Sequence, residues 1–404
     1  MCVTLLVEVR ARAAVGSVVA FAALWAGLGA PHAESRTPPA QALALVSDTH
    51  AASPAAVAAP AAAPVAAPAA APGSARRPRR TATLVMGGDL LWHNTVWASA
   101  AEDGHGHYDF DPMFAGVRSL VTGADVALCH EEVPFAAPGQ PPQNFPVFAA
   151  PPEAAAWIGS FGFDGCTTAS NHSLDQGYDG LVRTADLLER AGVAHIGTFR
   201  SRAERRRPVL LRTASGVRIG VVAGTFGTNG FPLPAGREWS VSLWDVPNLL
   251  AQAHAARAAG ADVVVVHLHG GDEYSHQPNA AQTALVERLT RSPDVDLVLG
   301  DHAHVVQPIT KVHGKWVVYG MGNMVAQQDP ARPDTYDGIM VRFTFTERRS
   351  GRFAVTRAAY APIGWNVWHP GSAPIRVVRL RGAAADVVTS YVEGLGRQRG
   401  LHRL

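Results

Sequence analysis

From Thr81 onward the chain alternates short apolar runs with stretches of helical period, and the sharpest apolar run lies in ADVVVVHLHGGDEY, residues 261–274. Four consecutive valines offer no polar face, so a strand built on them must be covered on both sides. Runs of similar character are TATLVMGGD at 81–89, DVALCHEEVP at 125–134, GCTTASNHSLDQG at 165–177 and DLVLGDHAH at 296–304, with the short VAHIG at 193–197. Helical stretches separate them at about 112–121, 152–161, 178–191, 249–259 and 280–290, the third with Leu181, Ala185 and Leu188 on one face. Three antiparallel hairpins complete the pattern, turning at Ser215-Gly216, His313-Gly314 and Ser350-Gly351. Mixed βαβ units and hairpins define an α/β protein, and two packed sheets with helices outside accommodate both.

The segments before Thr81 have a different character. Arg10 and Arg12 precede an uncharged run from Ala13 to Ala30, the layout of a secretory signal and also just long enough for one membrane anchor. Either way the remainder is expected outside the cytoplasm, secreted or held at the membrane by an uncleaved N-terminal segment. Residues 31–80 are rich in alanine and proline, almost wholly so between Ala51 and Pro72, and read as a disordered or polyproline-like tether. The expected division is therefore a signal or anchor at 1–30, a linker at 31–80, a catalytic-type domain at 81–370 and a C-terminal extension, a short strand plus a helix, at 371–404.

A net charge of +2 argues against a dedicated nucleic-acid binder. The arginine clusters at Arg76–Arg80 and Arg202–Arg207 lack interleaved aromatics and read as solvated or wall-facing patches. Three cysteines make no disulfide framework. Cys129 and Cys166 read as small buried hydrophobes, with a bridge between them open only to an exported protein.

What unites the apolar strands is how they end: Asp89; Glu132; Asn171 with His172; His269; His302 with His304. In α/β folds the carboxyl ends of the strands gather functional groups at one edge. Any one of these endings could be a cap, a turn former or a core histidine, but five of one chemical type point to a metal centre of one or two ions. Imidazole and carboxylate donors suit zinc, manganese or iron. Two such ions about 3.5–4 Å apart need a bridging carboxylate and support hydrolysis.

The order Gly88-Asp89, His130-x-Glu132-x-Pro134, Asn171-His172-Ser173-Leu174-Asp175-x-Gly177, His269-x-Gly271-x-Glu273-Tyr274, His302-x-His304 and Gly322-Asn323 resembles the CapA family. That family is named for poly-γ-glutamate capsule production and belongs to the calcineurin-like metallophosphoesterases. The likeness runs from about Thr81 to Gly364 and implies a four-layer α/β/β/α sandwich. It implies metal ligation by Asp89, Asn171, His269, His302 and His304, with Glu132 in the place of the superfamily's bridging aspartate. His172 would protonate the leaving oxygen and Asp175 would orient it, while Glu273 and Asn323 would sit on site-lining loops. The superfamily opens with Asp-x-His, whereas Leu91 stands at the second position here. Either His93 or His130 supplies the missing imidazole, or the site holds one ion. His105 and His107 read as loop residues.

The resemblance implies an exported metal-dependent hydrolase acting on a phosphoester or on an amide in an anionic cell-envelope polymer. Its alternative is a non-catalytic envelope component that binds the polymer and keeps its metal for structure. A protonatable His172 beside Asn171 speaks for the enzyme. Leu91 speaks for the binder.

Overall fold

In the computed structural model, which describes residues 78–404, the apolar runs become the strands of two sheets. The uncharged run at 13–30, the linker up to residue 77 and Cys2 lie outside the described residues. In chain order the elements are β1 (Thr81–Leu90), α1 (Asn94–Asp103), α2 (Asp111–Phe114), α3 (Arg118–Thr122), β2 (Val126–Glu131), α4 (Glu153–Phe161), β3 (Gly165–Thr167), α5 (Gly177–Arg190) and β4 (Ala194–Ile196). There follow α6 (Arg202–Arg205), β5 (Val209–Arg212), β6 (Arg218–Thr225), α7 (Val246–Ala258), β7 (Val263–His269), α8 (Ala280–Arg291), β8 (Leu297–Asp301), β9 (Ile309–Val312) and β10 (Lys315–Val318). Last come β11 (Asn323–Val325), β12 (Asp337–Glu347), β13 (Phe353–Gly364), β14 (Val378–Arg379), α9 (Gly382–Val392) and β15 (Leu401–Arg403).

The first sheet has nine strands in the order β14-β13-β12-β1-β2-β3-β4, with β11 added beside β1 and β15 beside β13. The second has six, β5-β6-β7-β8-β10-β9. Strands β1 to β4 run parallel, as do β6, β7, β8 and β10, and the hairpins supply the antiparallel margins.

Period-two alternation assigns each strand face to a layer. Leu84 and Met86 of β1 and Val263 and Val265 of β7 pack together between the sheets, with Phe343 and Phe345. Val85 turns the other way, towards Trp92, Phe114, Trp157 and Phe161 under α1 to α4. Val264 and Val266 face Leu249 of α7 and Leu285 and Leu289 of α8. The result is helices, sheet, sheet, helices: a four-layer α/β/β/α sandwich. Each valine removed from water here contributes about 1.5–3 kcal/mol.

Several expectations need correction. Residues 94–103, between the first expected strand and the expected helix at 112–121, form α1, whose inward residues Val96, Ser99 and Ala100 are small and give no strong apolar period. The single helix expected at 112–121 is two short ones, α2 and α3. Cys129 and Cys166 are disulfide-bonded rather than separate: parallel register sets them opposite each other on β2 and β3, Cα atoms 4.5 Å apart. Residues 371–404, read as an extension, are tied into the first sheet through β14 and β15. No helix among the described residues is long and apolar enough to cross a membrane.

Candidate metal centre

The parallel strands of both sheets deliver their carboxyl ends to a common seam. From the first sheet come Asp89 on β1, His130 at the end of β2, Glu132 just past it, and Asn171 with His172 after β3. From the second come His269, the last residue of β7, and His302 and His304 beyond β8. Asp89 reaches the seam because β1 presses against β11 at a glycine: a Cβ on Gly88 would stand 1.9 Å from the Gly322 oxygen. After β8 the backbone enters the left-handed region at His302 (φ 99°) and His304 (φ 57°). Each such non-glycine residue costs about 1–3 kcal/mol, so the surroundings must hold it there. The His302 N–H donates to Asp89 Oδ2 at 3.3 Å, which turns this strained loop back towards β1.

Two groups of three candidate ligands result. Asp89, His130 and His269 each place one atom within 4.8 Å of the others, and so do Glu132, His302 and His304. The carboxylates link the groups. Asp89 Oδ1 lies 3.8 Å from His130 Nε2 and 3.6 Å from His269 Nδ1, while Oδ2 lies 3.3 Å from His304 Nδ1. Glu132 Oε1 is 3.7 Å from His269 Nε2 and 4.0 Å from His304 Nε2. Asn171 Oδ1 sits 2.7 Å from His269 Nε2. The resemblance put Glu132 alone in the bridging place; here Asp89 spans the two groups equally well.

Burial sets the charge state of the cluster. It pulls His130 and His302 down to about 3, with neighbouring imidazoles adding to it, and holds His269 well below the ordinary histidine value. Burial, then Asp89, pushes the Glu132 carboxyl well above its usual range. His304 goes the other way: burial opposes its charge, but Glu132 and Asp89 outweigh burial and push it up to about 9. Asp89 Oδ1, His130 Nε2, both Glu132 oxygens, His269 Nδ1 and His302 Nδ1 are buried with no hydrogen-bond partner among the described residues. Each costs about 1–3 kcal/mol if left unmet. Lone pairs converging without donors are what a divalent cation satisfies, so the donor set fits one, and the split into two groups fits a pair.

Supporting contacts orient these side chains. His130 Nδ1 lies 2.8 Å from Thr167 Oγ1. Asn323, expected on a loop, is the buried first residue of β11; its Oδ1 is 3.0 Å from His304 Nδ1, and its amide donates to the His304 and Thr335 carbonyls. His172 Nδ1 lies 2.7 Å from Asp175 Oδ2, which also accepts the Phe148 N–H at 2.7 Å. Of the two stand-ins for the imidazole absent at Leu91, His130 is inside the cluster. His93 is at its margin, where Nδ1 accepts the Gln327 N–H and the ring meets Phe148 edge-on. Glu273 is exposed on the loop after β7, and His105 and His107 lie on an exposed turn after α1.

Three contributors carried no expectation. His267 shares a face with His269 by i, i+2 spacing, a signal available in the sequence, and its Nε2 pairs with Asp301 at 2.9 Å. Asn229, in the left-handed region at φ 48°, accepts from Asn171 Nδ2 at 3.1 Å and sets its own amide 3.4 Å from His172 Nδ1. Nothing in its Asn-Gly turn announces that. Phe226, from the same loop, packs on His302 with ring centroids 4.6 Å apart.

A model of the family described as "Bacterial capsule synthesis protein PGA_cap" matches residues 83–328, more than half of the chain and all of the candidate ligands above. The chain belongs to the PGA_cap family. Among this member's relatives is the PGA biosynthesis protein CapA of Bacillus subtilis, 26% identical over 50% of this chain and 53% of that protein. A probable polyglutamine synthesis accessory protein of Mycobacterium tuberculosis is 27% identical over 64% of this chain and 68% of its own length. The alignments thus span between about half and two thirds of those proteins. Among solved structures, the calcineurin-like phosphoesterase YfkN from Bacillus subtilis overlays with a TM-score of 0.41 at 15% identity, covering 70% of this PGA_cap chain and 91% of that one. A putative 5'-nucleotidase from Staphylococcus aureus gives 0.44 at 12% identity, covering 77% and 58%.

Proposed function

We propose that this PGA_cap protein is an exported, divalent-metal-dependent hydrolase that acts on a phosphoester or on an amide of an anionic envelope polymer, in the making or export of poly-γ-glutamate. The observation that carries the reading is the set of converging, unpartnered ligand atoms beside a histidine held by its own carboxylate. Asp89, His130, His269 and Asn171 would hold one ion, and Glu132, His302 and His304 a second, with Asp89 and Glu132 between them. Bound there, a divalent ion supplies Lewis acidity to a phosphoryl or carbonyl oxygen.

The chain's own residues would do the rest. With Nδ1 committed to Asp175, the His172 ring keeps Nε2 for donation to a leaving oxygen. Phe148, edge-on to that ring at 4.9 Å, and Phe226 on His302 would keep water from its sides. The exposed Phe145, Phe226 and Phe231 would offer an apolar rim to the methylenes or rings of a substrate. Export draws support from the signal-like N-terminus and from the Cys129–Cys166 bridge, a pairing at home in oxidising compartments.

A second reading, a polymer-binding component with structural metal, draws on depth: Asp89, His130 and His269 are each 0% exposed. One experiment separates the two. Protein freed of metal by chelation is titrated with manganese, zinc and iron while a phosphodiester and a phosphomonoester are assayed, beside His172→Ala and His304→Ala. The enzyme reading expects metal-dependent turnover lost in both variants, with His172→Ala still binding metal. Metal bound at normal stoichiometry without turnover of either substrate, or of a glutamyl polymer, would leave the binder.

A further inference from the structure

At the pole away from the metal centre, four elements surround a cleft of about 760 Å³. Its wall carries Arg291 at the end of α8, Lys311 on β9, Lys315 on β10, and Arg348 and Arg352 from the β12–β13 hairpin; Trp316, Val295 and Phe353 make an apolar floor. Asp296, the carboxylate in the lining, precedes β8, whereas His302 follows that strand. Six steps at about 3.3 Å each set the cleft roughly 20 Å from the ligands.

Among the described residues, all of these cations but Arg291 stand without an ion pair. Lys311, Lys315 and Arg352 donate to the backbone carbonyls of Arg399, Ser292 and Pro293, which fix a side chain without cancelling its charge. Asp296 is already bound to Arg257 and to the Val264 N–H. Arg291 shares Glu287 with His313 and is the weakest contributor. Crowding shows at Lys315, whose ammonium is pulled below the ordinary lysine value by burial, Asp296 opposing and Arg257 and Arg352 adding to the fall. An anion entering the cleft would relieve that crowding.

We propose that this cleft is a second binding site, for a flexible polycarboxylate chain such as a glutamyl polymer. Single cations spread over four elements around an apolar floor suit a chain that carries isolated carboxylates between methylenes. A compact phosphate would instead seek several donors converging on one point. Nucleic acid is disfavoured because both aromatic rings of the floor are buried beneath cations, Trp316 under the Lys311 ammonium at 4.3 Å and Phe353 under the Arg80 guanidinium at 5.1 Å, and offer no open face for stacking. The charge of the cleft stands by itself; the choice of a glutamyl polymer rests on the functional reading above. A site so placed would keep hold of the polymer while the metal centre acts on another part of it or on a linked group, raising effective concentration there.

The test uses the full chain and fluorescently labelled poly-γ-glutamate, with inorganic polyphosphate as competitor. Lys311→Glu with Arg348→Glu should weaken binding by about tenfold or more. The neutral pair Lys311→Gln with Arg348→Gln should weaken it less, and Arg190→Glu with Arg381→Glu, exposed elsewhere and matched in net charge, by under about threefold. Melting curves establish that each variant folds. Equal losses in cleft and control variants would reduce the effect to net charge and overturn the site. So would binding lost in His304→Ala alone, which would put the polymer at the metal centre. Polyphosphate displacing the polymer from the cleft at far lower charge concentration would overturn the polycarboxylate assignment. Cleft binding is read without turnover, so a failed hydrolase assay leaves this outcome legible.

Discussion

His304 is where burial and charge pull hardest against each other. Glu132 and Asp89 hold its proton up to about 9, against burial and against an ordinary value of 6.5. A metal ion must displace that proton, so affinity at the Glu132–His302–His304 group should rise about tenfold per pH unit from 6.5 towards 9 and then level off, as titration calorimetry at stepped pH would record. For metal-free protein the sign is opposite. The folded value lies above the unfolded one, so the stabilisation from His304 is complete below about 6.5 and is lost as pH rises through about 9. Asn323→Ala removes the neighbour that orients this imidazole and two further hydrogen bonds. It should cost about 1–3 kcal/mol in a denaturant melt and weaken metal binding about 10–100-fold. Residues of this kind were unevenly legible. Asp89, Glu132, His269, His302 and His304 announce themselves because each stands where an apolar run stops. Asn323 is named only by the family resemblance, and as a loop residue rather than the buried start of a strand, while Asn229 reaches His172 only through a loop whose path depends on tertiary packing.

Among the elements, β2 and β3 show how local register serves the site. Cys129 precedes His130 and Cys166 precedes Thr167, so the bridge fixes the pairing that sets Thr167 Oγ1 against the His130 ring. Cys129→Ala with Cys166→Ala releases a closure across a separation of 37 residues. On the chain-entropy account this should cost about 3–4 kcal/mol, measured by reversible denaturation, with weakened metal binding at the Asp89–His130–His269 group as its companion. Gly88→Ala should do comparable harm from β1, since the added methyl meets the Gly322 carbonyl and must push β11, and with it Asn323, away. A melting temperature within 1–2 °C of the parent would show that β1 and β11 can separate freely. Strands buried on both faces were legible because valine and leucine runs have few other uses. Helix α1 was not, its inward residues being small, and three-residue β11 was too short to carry any period. Whether two cysteines on neighbouring strands meet depends on register, which the sequence reports only after the sheet order is known.

At the scale of the molecule, the candidate ligands divide between the two sheets, Asp89, His130, Glu132 and Asn171 on one and His269, His302 and His304 on the other. The layers are already joined by the apolar core between them, but at the carboxyl edge the core gives way to buried polar atoms without partners. Ions there would act as a clasp across the seam. A ligand at a thousandfold excess over its dissociation constant stabilises the native state by about 4 kcal/mol. For a domain this large that is about 2 °C per kcal/mol, so chelation should lower the melting temperature by roughly 5–10 °C, and manganese or zinc should restore it. His269→Ala leaves a cavity and will melt lower for that reason alone, so its absolute stability is uninformative. The informative quantity is the metal-induced shift within the variant, which should shrink towards the part owed to the Glu132–His302–His304 group because His269 is the second sheet's contribution to the inner group. A full shift in His269→Ala would mean that the Asp89–His130–His269 group holds no ion that braces the seam, and the clasp would be confined to Glu132, His302 and His304. A parent shift near zero beside metal-dependent turnover would mean ions held too weakly to brace the seam, and the stability of the carboxyl edge would have to come from protons redistributed among its imidazoles and carboxyls.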